Sequence, residues 1–149
     1  MYNKDMLIGI LISLGRTDVL IERVNNSSIG YRTRIRIAIR GNLEFLKAIE
    51  RSLIQHEIKS NVSEKESSGR PRPILRISGN INLFKLMNMI PDYLPDSKGE
   101  FKMFREIVNI VANKEHLTLD GFNRILEIKG MIWWVLQTLK KAVRMVRPN

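Results

Sequence analysis

Apolar and polar positions alternate most clearly from Tyr31 to Arg40. Tyr31, Thr33, Ile35, Ile37 and Ile39 fall on one parity, and Arg32, Arg34, Arg36, Ala38 and Arg40 on the other. Successive side chains of a strand point to opposite faces, so this segment predicts a strand with one core face and one face of four guanidinium groups. No acid interrupts that row within the strand. Val19 to Val24 is short, β-branched and apolar and predicts a preceding strand, with Asn25-Asn26-Ser27-Ser28 as the turn. Two more strands are expected from Lys59 to Glu66 and from Arg72 to Ser78, across a turn at Ser67-Ser68-Gly69. In the second of these, Leu75 and Ile77 face one way and Arg72, Ile74, Arg76 and Ser78 the other.

Helical spacing accounts for most of the rest. A first helix runs to about Leu14, capped by Asn3 or Asp5 and ended by Gly15. Asn42 caps a second, whose stripe is Leu43, Phe45, Leu46, Ile49, Leu53 and Ile54. Asn80 or Asn82 opens a third, and Pro91 and Pro95 bracket its end. Ser97 caps a fourth with Phe101, Phe104, Ile107, Val108 and Val111 as its stripe. Thr118 starts a last run with Asp120 in its first turn, and Gly130 is expected to break it before Met131 to Arg147. Helix, strand, strand, helix, strand, strand and further helices make an α+β chain. No linker divides it, so a single domain over 1–149 is expected.

Composition adds a partner class. Lys and Arg number 25 against 15 Asp and Glu, a formal charge of +10 over 149 residues, which points to a polyanion, nucleic acid first. There are no cysteines, so disulfides, cysteine nucleophiles and thiolate metal sites are excluded. The apolar run Met6 to Leu14 is too short to span a bilayer, and Gly15-Arg16-Thr17-Asp18 is a poor signal-peptide cleavage site. A cytoplasmic or nucleoid-associated chain without a membrane partner is expected. His56 and His116 have no metal-ligand spacing, and no Gly-rich phosphate loop or nucleophile elbow is present. Trp133 and Trp134 read as packing residues of the C-terminal stretch, and Lys140, Lys141, Arg144 and Arg147 as a basic end.

Leu7-Ile8-Gly9-Ile10-Leu11-Ile12-Ser13-Leu14-Gly15 resembles, position for position, the nine-residue signature of LAGLIDADG homing endonucleases. Gly9 and Gly15 fall on the family's glycines, whereas Ile12 and Leu14 stand where the family has acids. Lys98 to Val108 and Lys114 to Ile128 are similar to two later runs of the family. The resemblance implies a single-motif αββαββα unit over 1–96 with additional C-terminal helices over 97–149. It implies a homodimer joined through the signature helices, with Gly9, Ile12 and Ser13 at the contact. It also implies double-stranded DNA held against the sheet. The candidates for that contact are Arg32, Arg34, Arg36, Arg40, Lys59, Asn61, Lys65, Arg72, Arg76 and Lys98.

In the family the second acid of the signature holds a divalent cation at the scissile phosphate. A hydrocarbon side chain such as Leu14 cannot ligate one. The expectation is therefore a catalytically inactive relative with no catalytic residue, metal ligand or cofactor. Two alternatives stay open. Asp18, just beyond the helix, is a candidate displaced acid for an active metal-dependent nuclease. RNA is a second ligand, since some members of the family assist intron splicing.

Overall fold

Asn3 begins the first helix: its side chain accepts from the Met6 amide at 2.9 Å, leaving Asp5 in the first turn. The protein, a computed structural model, is described over residues 1–94 and 99–131. Helix α1 (Lys4–Leu14) buries Leu7, Ile8 and Leu11. Gly15 closes it, but in extended rather than left-handed backbone, with φ −68° and ψ 137°. Its reason for being glycine is proximity. A Cβ there would lie 2.4 Å from the Leu11 carbonyl oxygen and 3.1 Å from Phe101 Cζ.

Four strands follow in two hairpins: β1 (Arg16–Arg23), β2 (Tyr31–Arg40), β3 (Asn61–Ser63) and β4 (Ile74–Ser78). They form one antiparallel sheet in the order β1-β2-β4-β3. Strand β1 starts at Arg16 rather than at Val19, because Arg16, Thr17 and Asp18 pair with Ala38, Ile37 and Arg36. Ladder pairing, not hydrophobicity, makes these three residues strand. Strand β3 is shorter than Lys59 to Glu66, and β4 begins at Ile74 rather than Arg72. Pro71 and Pro73 have no amide hydrogen for a ladder, and the pairing of β4 begins just after them at Ile74.

Helix α2 (Leu43–Ile54) is capped by the Asn42 side chain, which accepts from the Phe45 amide at 2.8 Å. Helix α3 (Asn80–Met89) follows Gly79, whose φ of 90° favours glycine. Asn82 is not its cap: its amide donates to the Ser78 carbonyl and accepts from the Lys59 amide. Helix α4 (Glu100–Ala112) and a 3-10 turn at Glu115–Leu117 lead to α5, residues 119–131. Thr118 caps α5 by accepting from the Gly121 amide at 3.1 Å. Gly130 does not break this helix, which continues through it. The expected roles of Pro95, Ser97, Trp133, Trp134, Lys140, Lys141, Arg144 and Arg147 lie outside the described residues.

The helices cover one face of the sheet. Ile35, Ile37 and Ile39 of β2 and Leu75 and Ile77 of β4 are at most 4% exposed. They pack with Leu46, Ile49 and Leu53 of α2, Leu83 and Leu86 of α3, and Phe104 and Ile107 of α4 in one cluster. Arg105 ties α4 to the end of α3 by donating to the Met87 and Ile90 carbonyls. Glu100, 2% exposed, accepts from the Thr17 hydroxyl at 3.0 Å and so fixes the start of α4 beside the start of β1. Tyr31 stacks on Phe122, joining β2 to α5 at a centroid distance of 5.3 Å. His116 sits partly buried below α4, and burial holds its imidazole below the ordinary histidine range.

Gly15→Ala is expected to destabilise the fold by about 1–3 kcal/mol, because the added carbon meets backbone rather than a movable side-chain end. Urea unfolding measures this; a midpoint equal to that of wild type would contradict the packing argument.

Candidate nucleic-acid interface

The uncovered face of the sheet carries the parity opposite to the core. On β2 these are Arg32, Arg34, Arg36, Ala38 and Arg40. Register then adds Arg16, Asp18, Leu20 and Glu22 from β1, Ile74, Arg76 and Ser78 from β4, and Asn61 and Ser63 from β3. The strand pairing therefore gathers Arg32, Arg34, Arg36, Arg40, Asn61 and Arg76 on one surface.

This surface is not the unbroken cationic row that β2 alone suggests. Asp18 stands in register with Arg36, and its Oδ2 accepts from Arg36 Nε at 2.7 Å. Glu22 Oε1 accepts from Arg34 Nη1 at 3.3 Å. These acids come from the neighbouring strand, so reading β2 by itself misses them. Both pairs are about a third to a half exposed, and such pairs contribute only ~0–1 kcal/mol each. They orient the arginines at little cost in stability.

A third acid organises the edge of the face. Glu66 lies beyond the end of β3, so strand parity no longer governs it, and it turns under the arginines. Its side chain is 8% exposed. Arg40 Nε donates to it, with Arg70 Nη1 at 3.4 Å and Arg72 Nε at 3.7 Å. Arg76 Nη2 donates to the Glu66 carbonyl at 3.2 Å. The hydrogen bond from Arg40 leads the effects that hold the Glu66 carboxyl below its ordinary range, against the opposing effect of burial. Arg40, Arg72 and Arg76 thus converge on one carboxylate-bearing residue instead of standing apart. Arg40, Arg70 and Arg76 border a hollow of about 560 Å³ that Arg16, Asp18 and Arg36 also line.

Eight guanidinium groups (Arg16, Arg32, Arg34, Arg36, Arg40, Arg70, Arg72 and Arg76) meet three carboxylates (Asp18, Glu22 and Glu66) here, so the face stays strongly positive. Among the described residues, Arg16 and Arg32 have no carboxylate partner. Arg16 and Arg70 are cations that the sequence reading missed. The signal for Arg16 was its place immediately after Gly15, but only the pairing with Ala38 shows which face it takes, and Arg70 joins the face only through its approach to Glu66. Lys59 and Lys65 are exposed and flank β3 outside the ladder. Lys98 lies outside the described residues.

Helix α1 presents a second surface. Unlike α2 and α4, it is apolar on nearly every side. Its outward side carries Met6, 56% exposed, with Gly9 and Ser13. No heavy atom lies within 4 Å of a Cβ built on Gly9, so that position faces open space. Ile12 lies at the margin, partly buried against the core.

The foot of α1 does not offer the chemistry of a hard cation. Leu14, 46% exposed, brings hydrocarbon to the family's acid position. Asp18, the nearest carboxylate along the chain, is engaged by Arg36 on the sheet. Among the described residues no three His, Asp or Glu side chains converge as a metal site. The residues present do not fit the family's metal.

No protein-family profile matches the chain. It is 24% identical over 124 residues to a probable intron-encoded endonuclease 3 of Neurospora crassa, covering 82% of this chain and 23% of that protein. It therefore spans about a quarter of the curated relative's length. Among solved structures it resembles the homing endonuclease I-TnaI, with a TM-score of 0.74, 24% identity, and 94% of this chain and 97% of that one covered. It also resembles the archaeal intron-encoded homing endonuclease I-Vdi141I, solved in complex with DNA, with a TM-score of 0.75 and 26% identity over 89% and 82% of the two chains. The fold is that of the LAGLIDADG homing endonucleases, and the resemblance read from the sequence is borne out. Among the described residues, no helix is long and apolar enough to cross a membrane.

Asp18→Asn removes one negative charge from the face and frees Arg36. The variant is expected to elute from immobilised heparin at higher salt than wild type. Elution at equal or lower salt would show that this pair does not face a bound polyanion.

Proposed function

We propose that this chain is a double-stranded DNA-binding protein of LAGLIDADG fold that acts as a homodimer and does not cleave its target. The uncovered sheet face carries this reading: its guanidinium groups outnumber its carboxylates, and a two-stranded ribbon such as β1 with β2 is an element that a major groove admits. The DNA present in the I-Vdi141I complex supports the choice of ligand. Arg32 and Arg16, without carboxylate partners among the described residues, are suited to phosphates, which position a protein without reading sequence. Arg34, Arg36, Arg40, Asn61, Arg72 and Arg76 are suited to base edges or phosphates, with Lys59 and Lys65 at the margins; Lys98 is a further candidate from the sequence resemblance.

Loss of cleavage follows from the side chains at the foot of α1. A phosphodiesterase of this class relies on a bound cation to form hydroxide and to stabilise the leaving oxygen. Leu14 supplies no ligand, and the Asp18 carboxylate already serves Arg36. Dimerisation is supported by α1 itself. Beyond Lys4 and Asp5 only Ser13 is polar in this helix, and the core covers one side, which leaves Met6 and Leu14 exposed for a second cover.

Arg34→Ala and Arg36→Ala are expected to weaken duplex binding, and each is expected to flatten the dependence of affinity on salt by about one unit of slope if its contact is to phosphate. Affinities measured across a salt series test this; unchanged affinity and slope in both variants would sink the sheet-face assignment. The same series run with structured RNA as competitor separates the two nucleic acids. Incubation of duplex pools with Mg²⁺ or Mn²⁺ is expected to leave them intact, and specific cleavage lost in Asp18→Asn would reverse the reading.

Gly9→Gln is expected to leave the folded chain intact, since its side chain enters open space, while blocking close approach of a second α1. Light scattering should then give twice the chain mass for wild type and the single-chain mass for the variant. A variant that remains dimeric would place the contact elsewhere.

A further inference from the structure

The two couples on the centre of the sheet, Arg36 with Asp18 and Arg34 with Glu22, have a geometry that single arginines lack. In the first couple the bond uses Arg36 Nε and Asp18 Oδ2, so both terminal nitrogens of the guanidinium remain without a partner among the described residues. In the second it uses Arg34 Nη1 and Glu22 Oε1, which leaves Nη2 and Nε. Each couple therefore presents unused guanidinium donors and, on the adjacent strand, a carboxylate with its second oxygen unused. All four side chains are between about a third and a half exposed, so the groups reach solvent.

We propose that these arginine–carboxylate couples read G·C base pairs, two of them separated by one base pair, in the major groove of the target. The inference rests on the duplex-DNA reading above and deepens it. A G·C pair offers two neighbouring acceptors, guanine N7 and O6, followed by a donor, the cytosine N4 amino group. A guanidinium edge with a carboxylate beside it is the complement of that order. An A·T pair offers an acceptor, a donor and an acceptor, so its adenine amino group meets the guanidinium donor-to-donor.

The carboxylates also argue against a phosphate role for these two arginines. A carboxylate 2.7 Å from the Arg36 guanidinium repels a phosphate approaching the same edge, but accepts from an amino group. Spacing supplies the second half of the proposal. Residues 34 and 36 share a face and lie roughly 6.8 Å apart along the strand. Base pairs stack at about 3.4 Å, so two steps of the duplex match one such interval. With β2 lying along the groove, the couples fall over base pairs separated by one.

Selection of bound duplexes from a random pool tests this with the full chain and its Asp18→Asn, Glu22→Gln and Arg36→Lys variants, each checked for wild-type thermal unfolding. Wild type should enrich half-sites containing two G·C pairs with one pair between them. Asp18→Asn should relax one of these positions and Glu22→Gln the other, lowering the preference for G·C over A·T on the order of tenfold. Arg36→Lys keeps the charge but loses the planar fork, and should relax the Asp18 position alone. A consensus without that spacing, or variant consensuses identical to wild type, would overturn the proposal. A flat selection in which wild type still retains duplex would overturn the proposal alone, and no retention of duplex by wild type at low salt would instead overturn the duplex-DNA reading itself.

Discussion

Side chains alternate across a β-strand, and in β2 that alternation separates two chemistries that cannot share a face. Ile35, Ile37 and Ile39 are buried to 4% exposure or less, while Arg32, Arg34, Arg36 and Arg40 point away from the helices. A slip of one residue in the pairing of β2 would carry three isoleucines into solvent and the arginines into the core. Burying unpaired guanidinium groups there would cost several kcal/mol each. The core therefore enforces the register, and the register assembles the outer face. Asp18, Glu22, Asn61 and Arg76 take their places on that face through pairing with strands whose inner residues are fixed by packing.

That dependence explains why the charged face is ordered without being self-stabilising. Like charges along one strand repel, and β2 alone would place four cations on one side. The acids of β1 and the Glu66 carboxylate relieve part of the repulsion from neighbouring segments. Weak exposed pairs at Asp18 and Glu22 hold the arginines in place, while the more enclosed Glu66 draws Arg40, Arg70, Arg72 and Arg76 together at the sheet edge. The face thus divides into pairs open to exchange and a cluster that is costlier to disturb. Pre-placed side chains lose less freedom on binding than freely rotating ones, which favours recognition over simple attraction.

The sequence made the helices and the faces of β2 and β4 legible, because their periodicity arises within each segment. Asn42 was readable as a cap, and Thr118 as the start of a helix, for the same local reason. What was not legible depended on partners distant in the chain. Arg16 to Asp18 are strand only because β2 lies beside them, and the acid partners of Arg34, Arg36 and Arg40 come from residues 22, 18 and 66. Strand β3 was read too long, since its polar alternation continues past the point where Pro71 and Pro73 limit the opposing strand. Gly15 was correctly read as the end of α1, but its purpose is a close approach to Leu11 and Phe101 and not a left-handed turn.

Helix α1 brings the two surfaces into one argument. Its inner side supplies Leu7, Ile8 and Leu11 to the core, and its foot leads directly through Gly15 into Arg16 on the outer sheet face. An acid at position 14 would have set a negative charge beside the entry to that face, where a cation is needed to balance it against phosphate. Leu14 removes the need for that cation and extends the apolar surface of the helix instead. The same residue types that make α1 a poor metal site make it a good packing surface. The proposed binding and assembly draw on burial and on the guanidinium face, and Leu14 adds hydrocarbon rather than a cation ligand at the foot of α1.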